Sequence, residues 1–227
     1  MFDNATRRVR ALDEDRQRTL IYTAAIANTL VLLLLLYAYV TENTPTTYWV
    51  FPVVWLTASA WAVFRTSRPS AEGRTKLLAA AIAGGYFLLL GFVGGLFGPA
   101  TGPITGLTVQ FTQLPPGWNP AVLYGGASLQ FALVPFTAVG YAVLAYLVYA
   151  TVLEAEHAVA GGILGLFSCV SCTLPVIASV LSGVVGGGAA LAAAASSQTY
   201  ALGSVVYMLT VGLLVYRPGL EWLRKRL

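Results

Sequence analysis

The sequence contains few charged residues, two cysteines and one histidine. Lys, Arg, Asp and Glu make up 10% of its 227 residues, against about 25% in an ordinary soluble domain. So few charges cannot cover the surface of a water-soluble protein of this size, and the apolar content of 57% excludes a disordered chain. Two cysteines and one histidine exclude a disulfide framework and a four-ligand Cys/His zinc site within one chain.

Long apolar segments indicate a polytopic membrane protein. About 20 apolar residues cross the hydrocarbon core of a bilayer, and several segments of the chain meet or approach that length. They lie at roughly 19–40, 48–64, 77–97, 123–152, 158–182 and 200–216. We therefore expect an all-α integral membrane protein, in which a six-helix transmembrane bundle at 19–217 lies between a charged N-terminal tail, 1–18, and a basic C-terminal tail, 218–227.

The basic residues predict the orientation of these spans. Every Lys and Arg lies within 1–18, 65–76 or 217–226, and such residues are concentrated on the cytoplasmic side of membrane proteins. Six spans with both termini in the cytoplasm place all of them on that side of the cell membrane. The net charge of +4 comes from short basic segments beside apolar spans. It therefore indicates the lipid bilayer as the partner and does not indicate a nucleic acid.

Two uncharged segments on the predicted outer side are unusual. Segment 98–120 is rich in Gly and Pro, and Leu107, Val109 and Phe111 alternate with polar residues in it, a period typical of extended chain. We predict an extended loop on the membrane surface, anchored by Trp118. Segment 183–198 is rich in Gly and Ala and is compatible with a short helix that dips back into the protein.

The chemical signal of the sequence is a Cys-x-x-Cys pair in the fifth predicted span. Cys169 and Cys172 share one helix face because they are three residues apart. That face carries small residues and the opposite stripe carries large aliphatics, so the pair is expected to point into the bundle. Pro175 leaves the carbonyl of Ser171 without its helical partner, which places that carbonyl and the hydroxyls of Ser168 and Ser171 beside the thiols.

The cysteine pair has three interpretations. Two thiolates suit a soft ion such as Cu(I). A Cys-x-x-Cys pair also suits thiol–disulfide exchange. Because cysteine is a small apolar residue that packs well in membrane helices, the pair could equally fill a helix interface.

Glycines at helical spacing predict close packing between helices. The GxxxG pairs Gly91/Gly95 and Gly94/Gly98 fall at the end of the third predicted span, and such pairs let helix backbones approach each other. Gly161 and Gly165 lie on the small face of the fifth span and are expected to act in the same way.

The membrane segments lack the groups that drive many transporters. No Asp, Glu, Lys, Arg or His occurs at 77–153 or 158–216, whereas proton-coupled transporters place ionisable side chains inside the membrane. No nucleotide-binding motif occurs in the polar segments either. A proton-driven antiporter is therefore disfavoured, and we expect no enzymatic activity.

Residues 168–176 read Ser-Cys-Val-Ser-Cys-Thr-Leu-Pro-Val and resemble segments of two families of membrane thiol proteins. The electron-relay family of cytochrome c maturation carries a Cys shortly before a Pro inside a span, and the mercuric-ion transport family carries a Cys pair and a Pro followed by small residues. The whole chain is similar to uncharacterised multi-span membrane proteins of halophilic archaea associated with heme-copper oxidase assembly. That resemblance implies copper rather than mercury.

We therefore expect a membrane accessory protein that binds or passes a soft metal ion, with Cu(I) favoured, through Cys169 and Cys172. Its context is respiratory oxidase maturation or metal homeostasis, and its expected partners are other membrane subunits or a copper chaperone. Two alternatives remain open. One is a thiol–disulfide electron relay across the membrane, and the other is a structural subunit of a transporter complex with no chemistry at the cysteines.

Overall fold

The computed structural model is mostly helical and also contains a small β-sheet. It describes residues 13–42, 47–66, 73–100, 106–111, 114–157 and 189–216, without the side chains of residues 47, 155–157 and 189–202. The helices in these residues are α1 (Glu14–Thr41), α2 (Val50–Arg65), α3 (Gly73–Val93), α4 (Pro135–His157) and α5 (Ala189–Tyr216). The strands are β1 (Phe97–Pro99), β2 (Gly106–Gln110), β3 (Ala121–Gly125) and β4 (Leu129–Leu133).

Three of the helices are long and apolar enough to cross a membrane. They are α1, α3 and the part of α4 at Pro135–Glu154, whereas α2 and Gly203–Tyr216 of α5 are apolar but shorter. Only 6% of the most apolar window of α1 is buried inside the protein. An apolar helix with so little of its surface covered by protein fits a lipid environment, so the helices support membrane association.

The central helices of the bundle are α2, α4 and α5, which contact one another, while α1 packs on α2 and α3 packs on α4. Their buried side chains form a core rich in aromatic residues. The neighbours α1 and α2 are antiparallel. Thr19 near the start of α1 donates to the carbonyl of Phe64 at the end of α2 at 3.4 Å, whereas Tyr37 near the end of α1 contacts Trp49 beside the start of α2.

The sheet lies between α3 and α4 in the sequence, and its strand order is β1-β4-β3-β2 with every pair antiparallel. A tight turn joins β3 to β4, in which the N–H of Gly126 donates to the carbonyl of Leu129 at 2.8 Å. The segment between β2 and β3 packs on the bundle, because the carbonyl of Gly117 accepts the N–H of Phe136 at 3.1 Å. The sheet is thereby held at the end of the bundle where α2 and α4 begin.

The turn from α3 into β1 is a glycine-dependent helix cap. The N–H of Leu96 donates to the carbonyl of Gly91 at 2.7 Å, and the N–H of Gly95 donates to the carbonyl of Phe92 at 3.3 Å. Gly95 has a φ of +77°, a left-handed conformation that glycine adopts without steric cost. These two bonds form a Schellman motif, which ends α3 and reverses the chain toward the sheet.

The basic residues of the described chain are found at one end of the bundle. Arg16 and Arg18 begin α1, and Arg65 ends α2. Arg74 and Lys76 begin α3, which runs from that end to the sheet. The sheet and its connecting segments contain no charged residue, so the basic side chains gather at the end remote from it.

The all-α prediction is wrong, because residues 97–133 contribute four strands. The fourth predicted span, 123–152, contains β3 and β4 residues before α4 begins at Pro135. In these strands the positions between the large apolar residues are mostly Ala, Gly and Leu, so the average hydropathy of the strands resembles that of a helix. Pro135 suits the first position of the helix, because the N–H that proline lacks would have no intrahelical partner there.

The segment predicted as an extended surface loop contains β1 and β2, which agrees with its period of two. Its anchor was assigned wrongly, because Trp118 is only 7% exposed and belongs to the core. The indole N–H of Trp118 donates to the carbonyl of Tyr48 at 2.9 Å, and its ring lies edge-on to Phe136.

The six-helix bundle is not supported by the described residues, which form five helices and a sheet. The fifth predicted span, 158–182, lies outside the described residues, as do residues 1–12 of the N-terminal tail and 217–227 at the C-terminus. The number of spans and the division into tails and membrane domain therefore stay predictions.

Candidate functional site

The residues of the predicted thiol site lie outside the part of the chain that the structure describes. This applies to both thiols, to the residues that support them and to the two glycines on the same predicted face. They are Cys169, Cys172, Ser168, Ser171, Pro175, Gly161 and Gly165. The thiol site therefore stays a prediction from the sequence.

Within the described residues, no three His, Cys, Asp or Glu side chains come together in a way that could hold a metal ion. The buried polar residues found there are Thr19, Ser59 and Thr210, which are hard hydroxyl donors and poor ligands for a soft metal. Because the whole chain has only two cysteines, any thiolate chemistry depends on Cys169 and Cys172.

The described part of the bundle is centred on a stacked pair of aromatic rings. Trp55 of α2 and Tyr207 of α5 lie parallel, with ring centroids 4.0 Å apart and an interplanar angle of 4°. The indole N–H of Trp55 donates to the hydroxyl of Ser204 at 2.9 Å. The hydroxyls of Tyr207 and Ser59 are hydrogen-bonded at 2.7 Å. We call these four residues the aromatic centre.

Helix α4 completes the packing around the aromatic centre. Phe136 and Tyr141 lie edge-on to the indole of Trp55, at centroid distances of 5.5 and 5.9 Å. Gly140 lies between them and faces the same indole so closely that a β-carbon would overlap Trp55. The helix can approach the ring only because this residue lacks a side chain.

The aromatic centre has the properties of a packing element. Its indole N–H and the hydroxyls of Ser59 and Tyr207 are hydrogen-bonded within the centre, as polar groups inside a membrane require. No carboxylate, amine or imidazole takes part in it. The arrangement fixes α2 against α5 and supplies neither a general base nor a metal ligand.

A groove of about 350 Å³ opens between α1, α2 and α4. Ile26, Leu56 and Val139 are among its apolar lining residues, and Ser59 is the polar one. The hydroxyl of Ser59 is already hydrogen-bonded to Tyr207. The described lining of the groove therefore suits hydrocarbon and includes no charged side chain.

The glycines predicted to pack helices are found in different structural roles. Gly91 lies in α3 against the ring of Phe97, and Gly94, just after the helix, lies against Tyr141 of α4. Gly95 caps α3, and Gly98 lies in β1 with open space around its α-carbon. Since α3 ends at Val93, neither GxxxG pair lies on one helix face.

The sequence reasoning missed the aromatic centre, although part of its signal was present. Trp55 and Ser59 are four residues apart in α2, and Ser204 and Tyr207 are three apart in α5, spacings that place each pair on one helix face. The pairing of the two faces spans almost 150 residues, which no local pattern contains.

A family model described as the family of unknown function DUF7546 matches residues 2–221 of the chain. Neither an electron-relay family nor a mercuric-ion transport family is among the matches. No curated protein and no solved structure matches the chain.

Proposed function

The chain belongs to this family of unknown function, and we propose from its own residues that it is a membrane accessory protein that binds or passes Cu(I) through Cys169 and Cys172. The proposed context is respiratory oxidase maturation or metal homeostasis. A second membrane subunit or a copper chaperone is the partner class that this role requires.

The observation that carries the proposal is the Cys-x-x-Cys pair of the sequence, three residues before Pro175 and among the small residues of a predicted span. Soft thiolates select Cu(I) over harder ions, and the spacing gives two sulfur ligands on one side of a helix. Metal binding displaces the thiol protons. By the helix geometry that the sequence predicts, Pro175 would free a carbonyl near the pair, where it would act as a weak oxygen donor.

We further propose six spans with both termini on the cytoplasmic side of the cell membrane. Chain connectivity supports the even number. Helix α5 is parallel to α2, because Ser204 contacts Trp55 near the start of α2 and Tyr216 contacts Trp61 near its end. The end of α4 and the start of α5 thus lie at opposite ends of the bundle, and the chain from 158 to 188 has to join them.

The copper proposal is tested by anaerobic Cu(I) titration of the purified full-length protein against a chromogenic Cu(I) chelator. We expect about one Cu(I) per chain from the two-thiolate site and loss of that binding in the variant Cys169→Ser, Cys172→Ser. Met208→Leu is the matched control, because it removes an exposed soft thioether in α5 and should retain the stoichiometry. Equal copper binding by the double variant would end the proposal.

A structural role in a membrane complex is the second candidate. The observation that favours it is the aromatic centre, which joins α2 to α5 and packs against α4 without any reactive group. This role predicts that the double serine variant complements a deletion strain fully. Alkylation trapping of the thiols in cells separates both candidates from the electron relay, which alone requires a pair that cycles between dithiol and disulfide.

A further inference from the structure

One face of the sheet is wholly apolar and largely exposed. Residues paired across antiparallel strands point to the same face, and the register pairs Leu107 with Tyr124, Val109 with Val122, and Val122 with Leu133. Leu129 follows on the same side of β4, because it is an even number of residues from Leu133. We call this the apolar face and define it by Leu107, Val109, Val122, Tyr124, Leu129 and Leu133.

The opposite face has a different composition. Side chains alternate between the two faces of a strand, so the positions between those of the apolar face point the other way. They carry the polar residues of the sheet, Thr108, Gln110 and Gln130, together with Leu123 and small Gly and Ala residues. The sheet is therefore amphipathic across its thickness.

The exposure of the apolar face matches that of the lipid-facing helices. Leu107 is 67% exposed and Leu129 is 52% exposed, while Leu88 on the outer surface of α3 is 59% exposed. Contiguous apolar patches that proteins leave exposed mark an interface. The apolar face thus requires a cover of the same kind as the surface of α3.

Three observations indicate that the bilayer itself is this cover. The sheet follows α3 after three residues and precedes α4 after one, so the two helices hold it at the membrane boundary. Phe97 of β1 is on the same side of the sheet as the apolar face, since it pairs with Phe131, and its ring folds back onto Gly91 of α3. The side of the sheet that carries the apolar face therefore adjoins the end of α3, where Phe92 is 60% exposed.

The absence of charged residues from the sheet is the third observation. No Asp, Glu, Lys, Arg or His occurs between 77 and 153, so neither the sheet nor its connections would need to desolvate a charge in the bilayer. We propose that the sheet lies flat on the membrane at the end remote from the basic residues, with its apolar face among the upper acyl chain segments and Thr108 and Gln110 toward water.

The test is a scan of single cysteines along β2 in the full-length protein, on the background Cys169→Ser, Cys172→Ser. An environment-sensitive fluorophore is attached in turn at positions 107, 108, 109 and 110, in phosphatidylcholine nanodiscs that contain one chain each. Lipids with a nitroxide near the top of the acyl chain quench probes that lie in the bilayer. Leu88→Cys on α3 is the control for lipid exposure, and Ser128→Cys in the β3–β4 turn is the control for water exposure.

We expect the loss of fluorescence at 107 and 109 to be about twofold greater than at 108 and 110, because alternate residues of a strand face opposite sides. The values at 107 and 109 should approach that at 88, and the pattern should not change between low and high salt, since the sheet is uncharged. Equal quenching at all four positions, or no quenching above that at 128, would overturn the proposal. Blue-shifted emission at 107 and 109 without quenching would also overturn it, because protein would then cover the face.

Discussion

The substitution Gly140→Ala tests whether α4 and α2 are in contact through a glycine. A β-carbon at this position would overlap two ring carbons of Trp55 and would lie 3.3 Å from the ring of Tyr207. The indole cannot move away easily. It is stacked on Tyr207, its N–H is held by Ser204, and Phe136 lies against its edge.

Two opposing effects set the size of the change. Alanine is the better helix former by about 1 kcal/mol, whereas an extra carbon in a tightly packed core costs about 1–3 kcal/mol. Gly84→Ala in α3 isolates the first effect, because nothing lies within 4 Å of a β-carbon there. The difference between the two variants is then the packing cost alone, about 1–3 kcal/mol.

The free energy of unfolding is measured by titration of micelle-solubilised protein with a denaturing detergent and is followed by far-ultraviolet circular dichroism. This signal reports helix content. It is preferred to tryptophan fluorescence, because a substitution beside Trp55 would change that fluorescence without unfolding the protein. We expect Gly140→Ala to be less stable than wild type and Gly84→Ala to be equal or more stable. If both variants shift equally, the close contact between α4 and Trp55 is absent.

Two further predictions concern the aromatic centre and the orientation. Tyr207→Phe should lower the free energy of unfolding by about 0.6 kcal/mol, the average for hydrogen bonds between membrane helices. In a cycle with Ser59→Ala the two losses should not add, and additive losses would show that the 2.7 Å bond is not formed. A fluorescent protein that folds only in the cytoplasm should fluoresce when fused after the C-terminus, whereas a reporter active only outside should work when inserted between Ala100 and Gly106. The reverse pattern would refute the orientation inferred from the basic residues.

The helices could be predicted because hydropathy is sufficient to identify a long apolar helix. The first predicted span, 19–40, lies within α1 (Glu14–Thr41), and the charged residues at the start of that helix account for the earlier beginning. Hydropathy does not identify neighbours, because a helix in lipid is apolar on all sides and hydropathy alone does not distinguish its packed face from its lipid-facing one. The peripheral position of α1 was therefore not accessible from its sequence.

The sheet could be predicted only in part. The alternation at Leu107, Val109 and Phe111 identified extended chain, because polar residues separate the apolar ones. In β3 and β4 the intervening residues are mostly Ala, Gly and Leu, so no polar contrast marks the period of two. The short apolar strands merged with the start of α4 into one apolar segment, an ambiguity that periodicity alone does not resolve.

The buried position of Trp118 could not be predicted from the sequence around it. A tryptophan in a Pro- and Gly-rich segment beside a membrane is typical of an interfacial anchor. Here the segment folds back over the bundle, where Gly117 adopts a φ of +101° and lies against Pro52 at the start of α2. The indole of Trp118 therefore lies in the core, and its N–H donates to the carbonyl of Tyr48. Only the contact between segments decides between these two outcomes.

The contacts that join the described helices are separate from the two cysteines of the proposed copper site, so the copper experiment can distinguish loss of ligands from loss of the fold. In the described residues, the helices are joined by the aromatic centre and by α4, through contacts that involve neither cysteine. Serine differs from cysteine by one atom, so the double substitution should leave these contacts intact. A variant that keeps the unfolding free energy of the wild type and loses Cu(I) binding has therefore lost ligands, whereas a variant that loses both has lost its fold. The unfolding titration separates these two cases in the same preparation.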